Sequence, residues 1–365
     1  MAPLSGGERA AELRETGIAE KGVVAAMRFM ARELPSQINQ WTRETLTACE
    51  GIDVMTGGIG GMVTGLSVAE KLGVPFVETH LQPVSAPTDA YPGVMLPWWP
   101  RWLGRAGIRF SHQLSDQAAW MAFKRPMASA RRTVLGLTGK PRSTSGQPQL
   151  YGFSHRVVPL PVDGERRHIC GYWTLPAPSQ WKPSTELAAF LARPGPVVSI
   201  GFGSMASSNP KEVTELVLGA IRRAGVRVVL LSGWGGLDAL PETDDVFCAE
   251  ALPHDWLFPR VTAVVHHGGA GTTGAALSAG VPAIVVPFAA DQPFWGARVA
   301  ALGCGPIPIP RKRLTQENLA DALSGATRNA VMSARCAHLG SLIRAERGVE
   351  TAVGHFDRIK TQQGP

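Results

Sequence analysis

The spacing of apolar residues changes character several times along the chain, and each change predicts an element. Within residues 7–50, Val23, Val24, Met27, Phe29 and Met30 recur at helical intervals, which predicts a long N-terminal helix. A short apolar run at 53–56 meets Gly57-Gly58, a helical pattern runs through Ala69 to Leu72, and VPFVET (74–79) reads as the next strand. Strand, helix and strand joined by short links favour a parallel sheet. Periodicity then breaks: LQPVSAPTDAYPGVMLPWWPRWL (81–103) holds five prolines and three tryptophans, so a loop rich in apolar side chains is expected there. Helical spacing resumes over 111–137, and one or two short strands are expected within 150–173. A proline-rich connector containing one short helix follows, and the domain boundary is placed near residue 180.

Beyond that point the alternation is regular. Apolar runs at 197–201, 226–232, 246–249, 261–265 and 281–288 predict strands, separated or followed by helical patterns at 211–224, 294–302, 316–323, 330–344 and 348–360. This is the pattern of a doubly wound α/β domain. The expected organisation is a first domain over 1–180, a second over 181–347 and a C-terminal segment over 348–365.

The candidate chemistry gathers in one stretch of the second domain. The run ending at Val265 stops at His266-His267, then Gly268-Gly269-Ala270-Gly271 turns the chain, and Thr272-Thr273 opens a small-residue helix. Glycines let backbone approach a ligand closely, and a helix start offers unpaired N–H groups and a positive dipole end, so a phosphate is well served. Residues 269–274 also satisfy G-x-G-x-x-G with an acid, Asp291, about twenty residues on, which admits a dinucleotide site and an NAD-dependent oxidoreductase. Against that, the dinucleotide fingerprint belongs on a domain's first strand, whereas three strands precede this turn. Neighbouring strand residues point to opposite faces, so only one histidine is expected at the ligand, His267. Asp291-Gln292 at the next strand end suit a polyol, or form an ordinary solvated turn. Ser204, after the domain's first strand, either bonds a phosphate or caps a helix.

Composition alters little in this picture. At 365 residues two domains are expected, and 18% charged with 44% hydrophobic residues is ordinary for a globular chain. No apolar run reaches the length of about 18 that a spanning helix needs, and the N-terminus lacks a signal-peptide core, so a cytoplasmic protein is expected. Five scattered cysteines have no metal-ligand spacing. The net charge of +7 is compatible with an acidic ligand or with peripheral contact at an anionic membrane. Its basic clusters lack interleaved aromatics, which argues against nucleic acid.

The stretch HDWLFPRVTAVVHHGGAGTTGAALSAGVPAIVVPFAADQPFWGARVAALGCGP (254–306) resembles the nucleotide-sugar signature of the UDP-glycosyltransferases. It is most similar to the branch of the sterol 3-beta-glucosyltransferases and antibiotic glycosyltransferases. GFGSM (201–205), SGWGGL (232–237), the 81–92 loop and GYW (171–173) extend the likeness to about residues 50–345.

The resemblance implies a GT-B fold, two Rossmann-like doubly wound domains facing a cleft, with the C-terminal helix crossing back onto the first. It implies inverting transfer of a hexose, from UDP-glucose or a dTDP-sugar, to a hydroxyl of a lipophilic acceptor such as a sterol, hopanoid or polyketide. No metal or other cofactor is implied. Carried over, Ser204, His267 and the backbone of Gly269, Ala270, Gly271 and Thr272 hold the diphosphate. Ala251 and Leu252 receive the base, Asp291 and Gln292 hold the sugar, and Trp295 packs beneath. Pro87, Thr88, Trp98 and Trp99 fall on the acceptor side. Where many members carry a ribose-binding glutamate this chain has Ala275. Members also open with a strand, a glycine turn, a helix and a second strand that bear the catalytic base. That segment, on the order of 50 to 60 residues, is expected to be absent here, leaving the first domain incomplete and the catalytic residue unassigned. A misplaced start codon is the expected explanation; a non-catalytic UDP-sugar-binding subunit or an inactive truncated paralogue is the alternative.

Overall fold

The computed structural model describes residues 23–84, 86–96, 98–139, 147–159, 166–202, 210–232 and 243–362. The chain divides into two compact units. One runs to Gly152 and includes Leu160–Cys170 and the segment from Glu350; the other comprises Phe153–Pro159 and Gly171–Val349.

In the first unit a four-stranded parallel sheet is built from β1 (Met55–Gly57), β2 (Phe76–His80), β3 (Gln149–Tyr151) and β4 (Arg167–Ile169), in that spatial order. Helices α1 (Val23–Ala48), α2 (Ile59–Leu72) and α3 (Gly104–Thr133) accompany it. Met55, Leu66, Val68, Ala69, Phe76 and Leu135 form its apolar core. Helix α2 approaches β2 closely because Gly65 has no side chain; a Cβ there would lie 2.8 Å from the Phe76 ring. Both expected strands start later than their apolar runs, and the expected helix at 111 begins at Gly104, after a 3-10 turn at Arg101–Leu103. Gly104 and Gly107 hid that start, since glycine reads as a breaker. Here Gly104 takes a positive φ of 67°, and Gly107 fits where a Cβ would be 2.4 Å from that of Leu103.

One ion pair inside this unit is nearly dry. The Arg131 side chain, 1% exposed, donates to both oxygens of Glu70 at 2.7 and 3.2 Å and to Ser67 at 3.2 Å.

In the second unit five parallel strands, β5 (Val197–Gly201), β6 (Arg227–Leu231), β7 (Val246–Ala249), β8 (Ala263–His266) and β9 (Ala283–Val285), lie in the order β7-β6-β5-β8-β9. The remaining helices in chain order are α4 (Thr185–Ala192), α5 (Pro210–Ala224), α6 (His254–Leu257), α7 (Ala270–Ala279), α8 (Gln292–Ala301), α9 (Gln316–Arg328), α10 (Ala330–Arg344) and α11 (Gly348–Gln362), the last mostly in the first unit. Val198, Ile200, Val228, Leu230, Val265 and Ile284 pack with apolar residues of α5 and α9 into one core. The expected strand at 281–288 is reduced to three residues because Pro282 and Pro287 bracket it and cannot donate to a ladder.

Residues 153–159 and 171–180 group with the second unit, although the sequence placed one passage near residue 180. Side chains account for this. The Phe153 ring meets Trp295 edge-on at 6.2 Å, Arg298 Nε donates to the Val157 carbonyl at 2.8 Å, and the Tyr172 ring covers Gly274 of α7.

Candidate functional site

In an open parallel sheet, ligands bind beyond the carboxyl ends of the strands where the strand order reverses. In the second unit that point lies between β5 and β8. A cavity of about 140 Å³ opens at this edge, lined by Gly201, Leu231, Glu250, Ala251, Leu252, His254, His267 and Thr272. These residues end β5, β6, β7 and β8 or open the elements that follow. Four of the residues singled out from sequence therefore converge: Ala251, Leu252, His267 and Thr272.

The two adjacent histidines have separate jobs, as strand geometry requires. Their ring planes stand at 89°. His266 is 1% exposed, and its Nδ1 accepts the Gly268 N–H at 3.0 Å, pinning the glycine turn from inside. Burial, reinforced by His267 and His254, pushes its pKa down to about 3, so it is neutral at any physiological pH. His267 turns to the cavity. Its pKa is lowered by burial and partly restored by the carboxylate of Asp291.

The glycines are specified by what they touch. Gly268 has φ 91°, and a Cβ there would fall 2.7 Å from Val285 and 2.9 Å from the Gln292 carbonyl. At Gly269 a Cβ would lie 2.5 Å from His267 Nε2, so the ring rests directly on the turn. Gly269 is the N-cap of α7 and supplies no side-chain bond, leaving the first-turn N–H groups of Ala270, Gly271 and Thr272 for an outside acceptor. Ala270 is buried, Gly271 is exposed and Thr272 is half-buried, so the recognition surface there is largely backbone.

Asp291 and Gln292 do not line the cavity. Asp291 Oδ2 accepts the Trp295 indole N–H at 2.9 Å, and Trp295 is wholly buried. Gln292 is also buried, and its Oε1 accepts the N–H groups of Phe288 at 2.7 Å and Ala289 at 3.2 Å. Its carbonyl thus builds the loop between β9 and α8. Ser204 lies outside the described residues.

Sequence reasoning overlooked Gly201, Leu231 and two cavity residues with titratable side chains. His254 stacks on Phe258 with centroids 4.4 Å apart, and burial lowers its pKa. Among the described lining residues Glu250 is the one carboxylate. Among the described residues no lysine or arginine lines the cavity; an anion would be met there by N–H groups and the α7 dipole. The signal for Glu250 was an acid directly after a strand end, a pattern too common to stand out.

On the first unit, Thr88 is buried and its Oγ1 accepts the Ala90 N–H at 3.2 Å, while Pro87 is half-buried. Trp98 is 74% exposed, and Trp99 is half-buried against Phe110 at 6.2 Å. His80 is buried with its Nε2 2.9 Å from Glu78 Oε2, which also accepts from Gln149. Among the described residues, no group of three His, Cys, Asp or Glu side chains is arranged to hold a metal ion.

Comparison with known proteins fits this geometry. Residues 217–347 match the family described as the erythromycin biosynthesis protein CIII-like, C-terminal domain. A sterol 3-beta-glucosyltransferase of Arabidopsis thaliana is 38% identical over 297 residues, covering 79% of this chain and 46% of the relative. That of Neurospora crassa is 36% identical over 347 residues, covering 88% of this chain and 22% of the relative. The chain therefore spans less than half the length of these relatives. Among solved structures, the glycosyltransferase of kitacinnamycin is similar with TM-score 0.63 at 20% identity, covering 91% of this chain and 82% of that one. The glycosyltransferase VinC, solved in complex with DTDP, gives TM-score 0.62 at 18% identity, covering 92% and 81%. The fold is that of the GT-B glycosyltransferases.

Proposed function

We propose that this chain, which carries an EryCIII-like C-terminal domain and is a relative of the sterol 3-beta-glucosyltransferases, transfers a hexose from a nucleotide diphosphate sugar to a hydroxyl of a lipophilic acceptor. UDP-glucose as donor, inversion at the anomeric carbon and independence from metal belong to the same proposal and rest on the resemblance. The observation that carries it is the cavity at the β5/β8 switch point, where His267 lies on Gly269 at the N-terminus of α7.

In this reading the base lies along Ala251 and Leu252, and the diphosphate caps α7. The cavity holds about 140 Å³, enough for part of a nucleotide sugar, whose remainder extends outward. Glu250 faces the ribose hydroxyls, a role a carboxylate can fill where Ala275 cannot. As the anomeric bond lengthens, negative charge grows on the departing diphosphate. A neutral His267 still donates one N–H, and it acts with the first-turn N–H groups of α7 on that charge. One good preorganised donor contributes roughly 3 kcal/mol. His80, buried against Glu78, is not offered to an acceptor hydroxyl.

The test is a calorimetric titration of the full chain with UDP, dTDP and UDP-glucose, with NAD as control. Micromolar binding of UDP or dTDP, weakened about tenfold or more in His267→Ala, is the expected result. Unchanged affinity in that variant, or binding of NAD alone, refutes the reading.

A further inference from the structure

Helix α3 turns several large apolar side chains outward among its charged ones. Its inner side packs on α1 and α2 and carries polar groups: Ser111 and His112 are buried, with Ser111 Oγ accepting the Gly93 N–H at 2.8 Å and His112 Nε2 2.9 Å from the Tyr91 carbonyl. Its outer side carries apolar ones. Leu103, Phe110, Leu114 and Met121 follow at intervals of seven, four and seven residues, which places them along one face. Their exposures are 41, 54, 41 and 63%. Trp98 and Trp102, just ahead of the helix, are 74 and 83% exposed. A row of large exposed apolar side chains along one face of a folded chain points to a contact site.

We propose that this face rests on the surface of an anionic phospholipid bilayer, with Trp98 and Trp102 at headgroup level and α3 lying in the plane of the interface. Charge selects this partner. Arg109, Lys124 and Arg125 are exposed on α3, and Asp116 is its only acid. Protein interfaces deplete charge from an apolar core, whereas long basic side chains beside apolar residues suit a lipid headgroup layer. A second copy of the chain would set these cations against one another. Among the described residues no helix is long and apolar enough to cross a membrane, so the contact is peripheral. The inference adds to the sugar-transfer reading, by bringing the chain to where lipophilic hydroxyls reside, and does not depend on it.

Flotation of the full chain with vesicles tests it. The chain is expected to float with phosphatidylcholine vesicles containing phosphatidylglycerol, more weakly with phosphatidylcholine alone, and less as salt rises. Lys124→Gln with Arg125→Gln should lower the partition about fivefold per charge removed. The triple variant Phe110→Ser, Leu114→Ser, Met121→Ser, with its fold checked by far-UV circular dichroism, should remain in solution. Failure of the wild-type chain to float with anionic vesicles overturns the proposal. So does flotation of the triple variant at the wild-type level, or a wild-type dimer in sedimentation velocity that the triple variant lacks. UDP titration on the same samples keeps the two readings apart: flotation without UDP binding sinks the donor-site reading alone, and UDP binding without flotation sinks this one alone.

Discussion

His266 ties the shape of the glycine turn to pH. In the fold its Nδ1 holds the Gly268 N–H and its pKa is pushed to about 3, against 6.5 for a free histidine. Below pH ~6.5 the unfolded chain therefore takes up a proton that the folded chain refuses until pH ~3. The stability this site contributes is complete above 6.5 and is lost as the pH falls toward 3. The slope approaches ~1.4 kcal/mol per pH unit, and the linkage relation gives a loss of about 2 kcal/mol between pH 7 and pH 5. His254 and His267 have lowered values too and act in the same direction, so the wild-type slope alone does not isolate the site. His266→Asn does. An asparagine Oδ1 stands where Nδ1 stood, can accept the same N–H, and does not titrate. Urea unfolding of both proteins by tryptophan fluorescence at several pH values should show the wild-type advantage shrinking by about 2 kcal/mol from pH 7 to pH 5. Parallel stability curves for the two proteins would refute the argument, because they would mean that His266 is not a buried neutral acceptor.

Gly269→Ala should separate binding from stability. Gly269 has φ −63°, which alanine tolerates, so unfolding free energy should move by less than ~1 kcal/mol. UDP affinity should nonetheless fall about tenfold, since the new methyl displaces the His267 ring; equal affinity in a titration would show that the ring plays no part. At the Arg131–Glu70 ion pair, Glu70→Ala leaves the Arg131 charge buried and should cost about 3 kcal/mol in denaturant unfolding. Arg131→Met should cost less, because the Glu70 side chain is 19% exposed and reaches water; the reverse order would contradict the assignment.

The cavity edge of the second unit was legible because its requirements are local. A strand end, a positive-φ glycine and a helix start are adjacent in sequence, so the local geometry of His267 to Thr272 could be expected before any packing was known. The same locality explains the separation of His266 from His267, which follows from the two-residue period of a strand. The alternation of apolar runs likewise determined the parallel sheet of the second unit.

Only the tertiary structure decided matters that depend on what comes near from elsewhere in the chain. Gln292 reads as a ligand for sugar hydroxyls, yet its Oε1 closes the turn at Phe288 and Ala289, and no spacing rule distinguishes those partners. Phe153–Pro159 joins the second unit because one aromatic ring meets Trp295 and one carbonyl meets Arg298. On α3 the spacing of Phe110, Leu114 and Met121 describes a stripe but not its direction. The helix faces its core with Ser111, His112 and Arg131 because polar partners wait there, at Gly93, Tyr91 and Glu70. Periodicity fixes which residues share a face, whereas burial depends on what the rest of the fold places against it.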